Sequence, residues 1–153
     1  MRIIVDGDAC PGISIIQRIA KKYGLELIVF CDIHHYITLD YGEVKVVDSG
    51  FQSVDMYVVN ICKSNDVVIS QDYGVAAICL GKKAHILNPK GYLYTEENID
   101  RMLEERHISQ KIRRAGGRTS NPKKRTSEDA RAPRKGRRAA YFDNLAACSR
   151  KGA

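Results

Sequence analysis

No apolar run in the 153 residues approaches the roughly 20 that a membrane-spanning helix needs. The N-terminus has no basic stretch followed by a signal-like apolar region, because Asp6 and Asp8 interrupt the first hydrophobic run early. The expectation is a cytoplasmic protein with no membrane partner. Cysteine is sparse and badly spaced for cross-linking. Five residues, at 10, 31, 62, 79 and 148, form no Cys-x-x-Cys pair and are odd in number. Three of them (31, 62 and 79) lie in apolar segments, so buried thiols are expected. His34-His35 alone does not supply the ligand clustering of a zinc site. No internal repeat is present, and no Ser-His-Asp or Cys-His arrangement suggests a nucleophilic enzyme.

What is present is enough for one globular core: 44% hydrophobic and 28% charged residues. The net charge of +7 is unevenly spread. Residues 1–100 hold 9 Lys/Arg against 13 Asp/Glu, a balance of −4, and residues 101–153 hold 16 against 5, a balance of +11. An acidic body joined to a basic arm suits a polyanionic partner.

Hydrophobic periodicity gives the elements. Strands are expected at 2–6, 25–31, 43–47, 66–70 and 84–88, with a short one near 36–38. Helices are expected from Pro11 in the first turn to Gly24, over 53–65 with Ser53 as cap, from Asp72 to Gly81, and from Thr95 to Arg114. Thr95 and Asn98 resemble a capping box. Strand–helix alternation predicts an α/β domain with a mainly parallel sheet. Residues 116–138 (GGRTSNPKKRTSEDARAPRKGRR) have the composition of a flexible segment, and a short helix is expected near 141–148.

The chemistry concentrates in aspartates. Ligands of open α/β sheets sit at the carboxyl ends of parallel strands. Asp6 and Asp8 follow the first strand and Asp72 follows VVIS; Asp55 lies in the first turn of a helix that a strand-to-helix connection brings to the same edge. Asp66 starts its strand, roughly 20 Å from Asp72 at about 3.3 Å per residue, and is excluded. Asp48 follows a strand of undetermined direction. Asp6, Asp8, Asp55 and Asp72 thus form an oxygen-only set suited to Mg²⁺ or Mn²⁺, which could polarise a phosphodiester. Against this, Asp55 and Asp72 each stand at a helix start, where an aspartate is more often a cap.

VDGDACP, VDMYVVNICKSNDVVISQDYGVAAICL and NPKGYLYTEENIDRMLEERHISQKIRRAGG resemble the motifs of the bacterial YaiI/YqxD family of uncharacterised proteins. The likeness covers about residues 1–118. That family is similar to the PIN-like nuclease superfamily. The resemblance implies a three-layer α/β/α domain over 1–118, with residues 119–153 as a basic C-terminal extension. It also implies metal-dependent cleavage of RNA or other single-stranded nucleic acid, with Asp6, Asp55 and Asp72 matching the PIN-type acids. Asp8 matches the family motif but not the general PIN pattern. Gly7 stands where the family has Ala, a mild change by sequence, and Asn65 replaces a Gly. The tail keeps SEDARA and YFDNL around a basic insertion.

Arg106, Lys111, Arg113, Arg114 and Arg118 could contact nucleic-acid phosphates, with further Lys and Arg between 123 and 138. A solvated helix face is the alternative, and Arg106 could instead pair with an acid. Tyr73, Tyr92 and Tyr94 could stack on bases but are more often packing residues. Two other readings remain. One is a non-catalytic nucleic-acid- or protein-binding module on the same fold. The other, weaker, is a haloacid-dehalogenase-type phosphatase, for which Asp6-Gly-Asp8 fits but Cys10 and the missing downstream acidic pair do not. A Cys-x5-Arg phosphatase loop fails because position 16 is Ile. For oligomeric state only frequency speaks, and it favours an isologous dimer.

Overall fold

A computed structural model describes residues 1–48, 53–117, 143, 144, 147 and 148. Six strands form one sheet: β1 (Arg2–Asp6), β2 (Glu26–Asp32), β3 (Glu43–Val47), β4 (Val67–Ile69), β5 (His85–Leu87) and β6 (Leu93–Tyr94). Their order is β3-β2-β1-β4-β5-β6. The first five are parallel and only β6 runs antiparallel, pairing with β5. The helices are α1 (Ile13–Tyr23), α2 (Val54–Ile61), α3 (Tyr73–Gly81) and α4 (Glu96–Arg114).

Strand side chains alternate across the sheet, and the two faces collect different helices. Ile3, Val5, Leu27, Val29, Val67 and Ile69 pack with Ile15, Ile16 and Ile19 of α1. Ile4, Ile28, Phe30, Val68 and Ile86 pack with residues of α2, α3 and α4. The result is three layers, with both faces of the central strands covered, as parallel strands require. This is the α/β/α architecture expected of the chain. β3 pairs in parallel with β2, which fixes the direction that the sequence left open.

Local details differ from the sequence expectations in physically informative ways. α1 starts at Ile13 after Gly12, so Pro11 precedes the helix instead of occupying its first turn. α2 stops at Ile61, not near residue 65, because Cys62 turns to extended backbone and the Lys63 amide donates to the Asp66 carboxylate at 3.1 Å. Ser53 is the N-cap residue of α2 but its side chain makes no capping bond. The Thr95–Asn98 capping box is real, with both reciprocal bonds formed. No strand forms at 36–38. Ile37, Leu39 and Tyr41 do turn inward onto the α1-side core, while Tyr36 and Thr38 face out, so the alternation is there without a ladder partner. β6 has no counterpart among the expected strands; two residues carry too little pattern to read.

The five cysteines are buried. Of the helix expected at 141–148, Asp143, Asn144, Ala147 and Cys148 are helical; its other four residues lie outside the described set. Cys148 packs into the α1-side core, and the Asn144 amide donates to the Gly91 carbonyl at 2.9 Å. Arg118 and the basic segment after it lie outside the described residues. No helix among the described residues is long and apolar enough to cross a membrane.

Candidate active site at the carboxyl edge of the sheet

β1 and β4 are neighbours and parallel, so the residues just past each strand meet at one edge. Asp6 ends β1, and Ser70-Gln71-Asp72 come directly after β4. A cleft of about 400 Å³ opens there, lined by Asp6, Ala9, Asp55, Gln71, Asp72, Tyr73 and Arg106. Three of the four expected carboxylates therefore share one cavity, brought from β1, α2 and the start of α3.

Asp6 is 5% exposed. The Ser70 hydroxyl donates to its Oδ2 at 3.2 Å. Burial pushes its carboxyl up to about 6, and the nearby Asp55 and Asp8 charges add to the rise, while bonds from Ser70 and the Ala9 backbone oppose it. Burial, then Asp72 and Asp8, also raise Asp55 above the usual carboxylate range. Asp72 is tied at both oxygens. Its Oδ1 accepts from the Gly74 and Val75 amides at 2.7 and 3.1 Å, capping α3. Its Oδ2 lies 3.6 Å from Arg106 Nη1 of α4. The cap alternative thus holds for Asp72, but it uses only one oxygen.

Asp8 does not line the cleft. It accepts from the Asp32 amide at 3.0 Å and pairs with His35 Nδ1 at 3.0 Å. Of the four expected acids it is the one whose side chain turns to the β2–β3 loop. Asp66 belongs to the opposite edge, as expected. It is bonded by the Arg2 guanidinium at 2.6 Å and the Arg2 amide at 3.0 Å. Burial alone would raise its carboxyl, but these bonds and the Lys63 amide leave it below the usual range.

Two residues missed by the sequence reading hold the edge together. Ser70, wholly buried, donates to Asp6 and accepts from the Asp72 amide at 3.1 Å. The Gln71 side-chain amide donates to the Ala9 carbonyl, joining the loops after β1 and β4. Both stand in the stretch Ile69-Ser70-Gln71-Asp72; the available signal was that short polar residues at a parallel strand end face the crevice.

The donor chemistry is all oxygen and suits a hard cation. Among the described residues, no three His, Cys, Asp or Glu side chains converge into a ready-made cage. Mg²⁺ does not require one: it keeps several waters and binds through one or two carboxylates plus phosphate oxygens. Asp6 and Asp55 fit that mode, and Asp72 could join through the oxygen now beside Arg106.

Other expectations resolve by packing. Tyr94 is 1% exposed, accepts from the Asn88 side-chain amide at 2.6 Å, and packs edge-on with Tyr73 and Tyr92. Lys111, Arg113 and Arg114 are exposed in the last turn of α4, where cations also complement the helix dipole. The Cys10 thiol is buried and pushed up to about 11, chiefly by that burial, so it is not an activated nucleophile.

The fold and its cleft together define a mainly parallel α/β/α domain with a carboxylate-lined, arginine-flanked pocket at its strand ends. The chain belongs to the YaiI/YqxD family: the family model described as "Uncharacterized BCR, YaiI/YqxD family" matches residues 4–135. Among its relatives, a UPF0178 protein of Clostridium kluyveri is 61% identical over 129 residues, covering 84% of this chain and 85% of that protein. The UPF0178 protein of Clostridium tetani is 58% identical over 129 residues, covering 84% and 88%. That of Clostridium acetobutylicum is 46% identical over 131 residues, covering 84% and 88%. Among solved structures, Rae1 (YacP) from Bacillus subtilis aligns with a TM-score of 0.47 at 20% identity, covering 96% of this chain and 99% of that one.

Proposed function

We propose that the protein is a divalent-metal-dependent nuclease that hydrolyses phosphodiester bonds in RNA or other single-stranded nucleic acid. The observation that carries this reading is the convergence of Asp6, Asp55, Asp72 and Arg106 on one cleft. Three carboxylates and a guanidinium around one open cavity match the needs of phosphoryl chemistry better than those of acyl transfer, for which the described residues lining the cleft offer no nucleophile–base pair. Bound Mg²⁺ or Mn²⁺ would polarise the phosphodiester and make a bound water more acidic.

Asp6 is the principal metal-facing carboxylate, held in place by Ser70. Asp55 provides a second oxygen donor or orients water. Asp72 has one oxygen fixed by the α3 amides, which aims the other into the cleft. Arg106 can donate bidentately to two oxygens of a phosphate once it leaves Asp72. The basic C-terminal third supplies long-range attraction for the polyanion.

The test is incubation of purified protein with a mixed panel of RNA and single-stranded DNA in Mn²⁺, beside Asp6→Asn and Asp72→Asn. Asn caps helices about as well as Asp, so Asp72→Asn removes the charge while preserving α3. Cleavage by the wild type and by neither variant supports the nuclease. Salt-sensitive binding without cleavage by any of the three proteins overturns it in favour of a binding module.

A further inference from the structure

The β2–β3 connection, residues 33–42, leaves the carboxyl edge beside Asp8 and runs back along α1. It is pinned at closely spaced points. The Asp32 amide donates to Asp8, and His35 Nδ1 lies 3.0 Å from the same carboxylate. The His34 amide donates to the Asp32 side chain at 3.0 Å and the His35 amide to the Asp32 carbonyl at 2.9 Å. On the far side, Ile37 packs into the α1-side core; its Cδ1 would lie only 2.8 Å from a Cβ placed on Gly7. Between these anchors Tyr36 is 94% exposed, with Ile33 55% exposed nearby.

Holding a loop still costs conformational entropy, and here the order buries neither Tyr36 nor Ile33. Packing of Ile37, Leu39 and Tyr41 on the α1-side core orders the loop but makes no use of the Tyr36 ring, which stays in solvent. The charge content narrows what the loop could meet. From Cys31 to Gly42 there is no Lys or Arg, while Asp32 and Asp40 are present, so the loop offers no permanent cation to a phosphate. It offers an aromatic face, two imidazoles and an aliphatic side chain. Gly7, against which Ile37 packs, directly follows Asp6 of the cleft, and His35 lies 3.0 Å from Asp8, which places the pinned end of the loop next to the acidic cleft.

We infer that Tyr36 is a stacking platform for an unpaired base of the nucleic acid whose backbone enters the Asp6 cleft, and that Asp8 is the positioning residue that holds this platform. The inference rests on the nucleic-acid reading above and names the substrate feature: an unstacked base flanking the phosphate in the cleft. Base–aromatic stacking tolerates any base and weakens strongly on removal of the ring. Labour is then divided, with Arg106 serving phosphate and Tyr36 serving base, so double-stranded ends with stacked bases engage poorly.

The chain contains no Trp, so Tyr36→Trp installs a single reporter. Titration in EDTA with a decameric oligouridylate is expected to quench its fluorescence, and an abasic ribose-phosphate decamer is expected not to. Anisotropy with a labelled oligouridylate should show Tyr36→Ala binding about tenfold more weakly and Tyr36→Phe binding like the wild type. Asp8→Ala should weaken binding several-fold, and added to Tyr36→Trp it should weaken the quench to the same extent. Melting curves check that the variants fold. Binding with no quench, and with Tyr36→Ala equal to wild type, overturns the platform even if cleavage is observed. Quench and ring dependence without cleavage by the wild type support the platform and reject the nuclease. No oligonucleotide binding in EDTA or in Mn²⁺ overturns both.

Discussion

Asp6 carries an almost wholly buried carboxylate that faces other acids, and its ionisation is opposed chiefly by burial. Its folded value near 6 lies above the ordinary 3.8, so the folded state holds the proton more tightly than the unfolded chain. Stability from this group is full below about pH 4, is lost as pH rises through 6, and stays lost at pH 8. Asp6→Asn should therefore stabilise the metal-free protein by about 1–3 kcal/mol at pH 8, with the gain shrinking towards pH 4. Urea unfolding in EDTA at the two pH values checks this; equal midpoints at pH 8 would contradict it. Adding Mg²⁺ should raise the melting temperature of the wild type and not that of Asp6→Asn. Asp66 has the opposite character, with its charge compensated. Arg2→Ala removes the counter-ion of that carboxylate, which is 4% exposed and keeps only two backbone amide donors, and should cost about 3 kcal/mol while leaving metal-induced stabilisation unchanged. The sequence distinguished these two aspartates because one ends a strand and the other begins one. It could not show where Asp8 turns, since its partners Asp32 and His35 become neighbours only when β1 and β2 pair. Ser70 was similarly hidden: a buried hydroxyl is recognised by what it bridges.

Elements with a strong local signal were legible in the sequence and the weak ones were not. The Thr95 cap, the apolar face of α1 and the runs of β1 and β2 all act within a few residues of themselves. The end of α2 depends on Asp66 capturing the Lys63 amide, and β6 depends on β5 already being in place. The link between β1 and the β2–β3 loop shows the same dependence at Gly7. By sequence, Ala there looks harmless. In the fold, a Cβ would stand 2.7 Å from the Phe30 carbonyl oxygen, 2.8 Å from Ile37 Cδ1 and 2.9 Å from Val29 Cγ1. The first is backbone that is itself bonded by the Gly7 amide at 2.7 Å, so it cannot yield freely. Gly7→Ala should destabilise by about 1–3 kcal/mol and loosen residues 33–37. Amide exchange would show faster opening of that loop with α4 unaffected; unchanged protection and unchanged stability would mean the contact relaxes without cost.

At the scale of the molecule the chain opposes itself electrostatically. The first hundred residues carry a balance of −4 and present carboxylates at the very edge where a phosphodiester would have to enter; the remainder carries +11. An acidic cleft alone would repel a polyanion, and Arg106 is one guanidinium against three acids. The basic residues from Lys111 onward must then supply the association energy if nucleic acid is the ligand, with metal neutralising the cleft locally. This has a quantitative consequence. Counterion release makes log K fall with log salt by about 0.7 for each phosphate contact on a single strand. Replacing Lys123, Lys124, Arg125, Arg134, Lys135, Arg137 and Arg138 by Gln should lower that slope by up to about 5, measured by anisotropy in EDTA between low and moderate salt. Tyr36→Ala should weaken binding at every salt concentration and leave the slope alone, because stacking releases no counterions. Parallel lines for the charge variant and the wild type would show that the basic segment does not touch the strand. A changed slope for Tyr36→Ala would show that the β2–β3 loop steers phosphates and not a base. The two slopes thus separate what the basic arm does from what the rim of the cleft does.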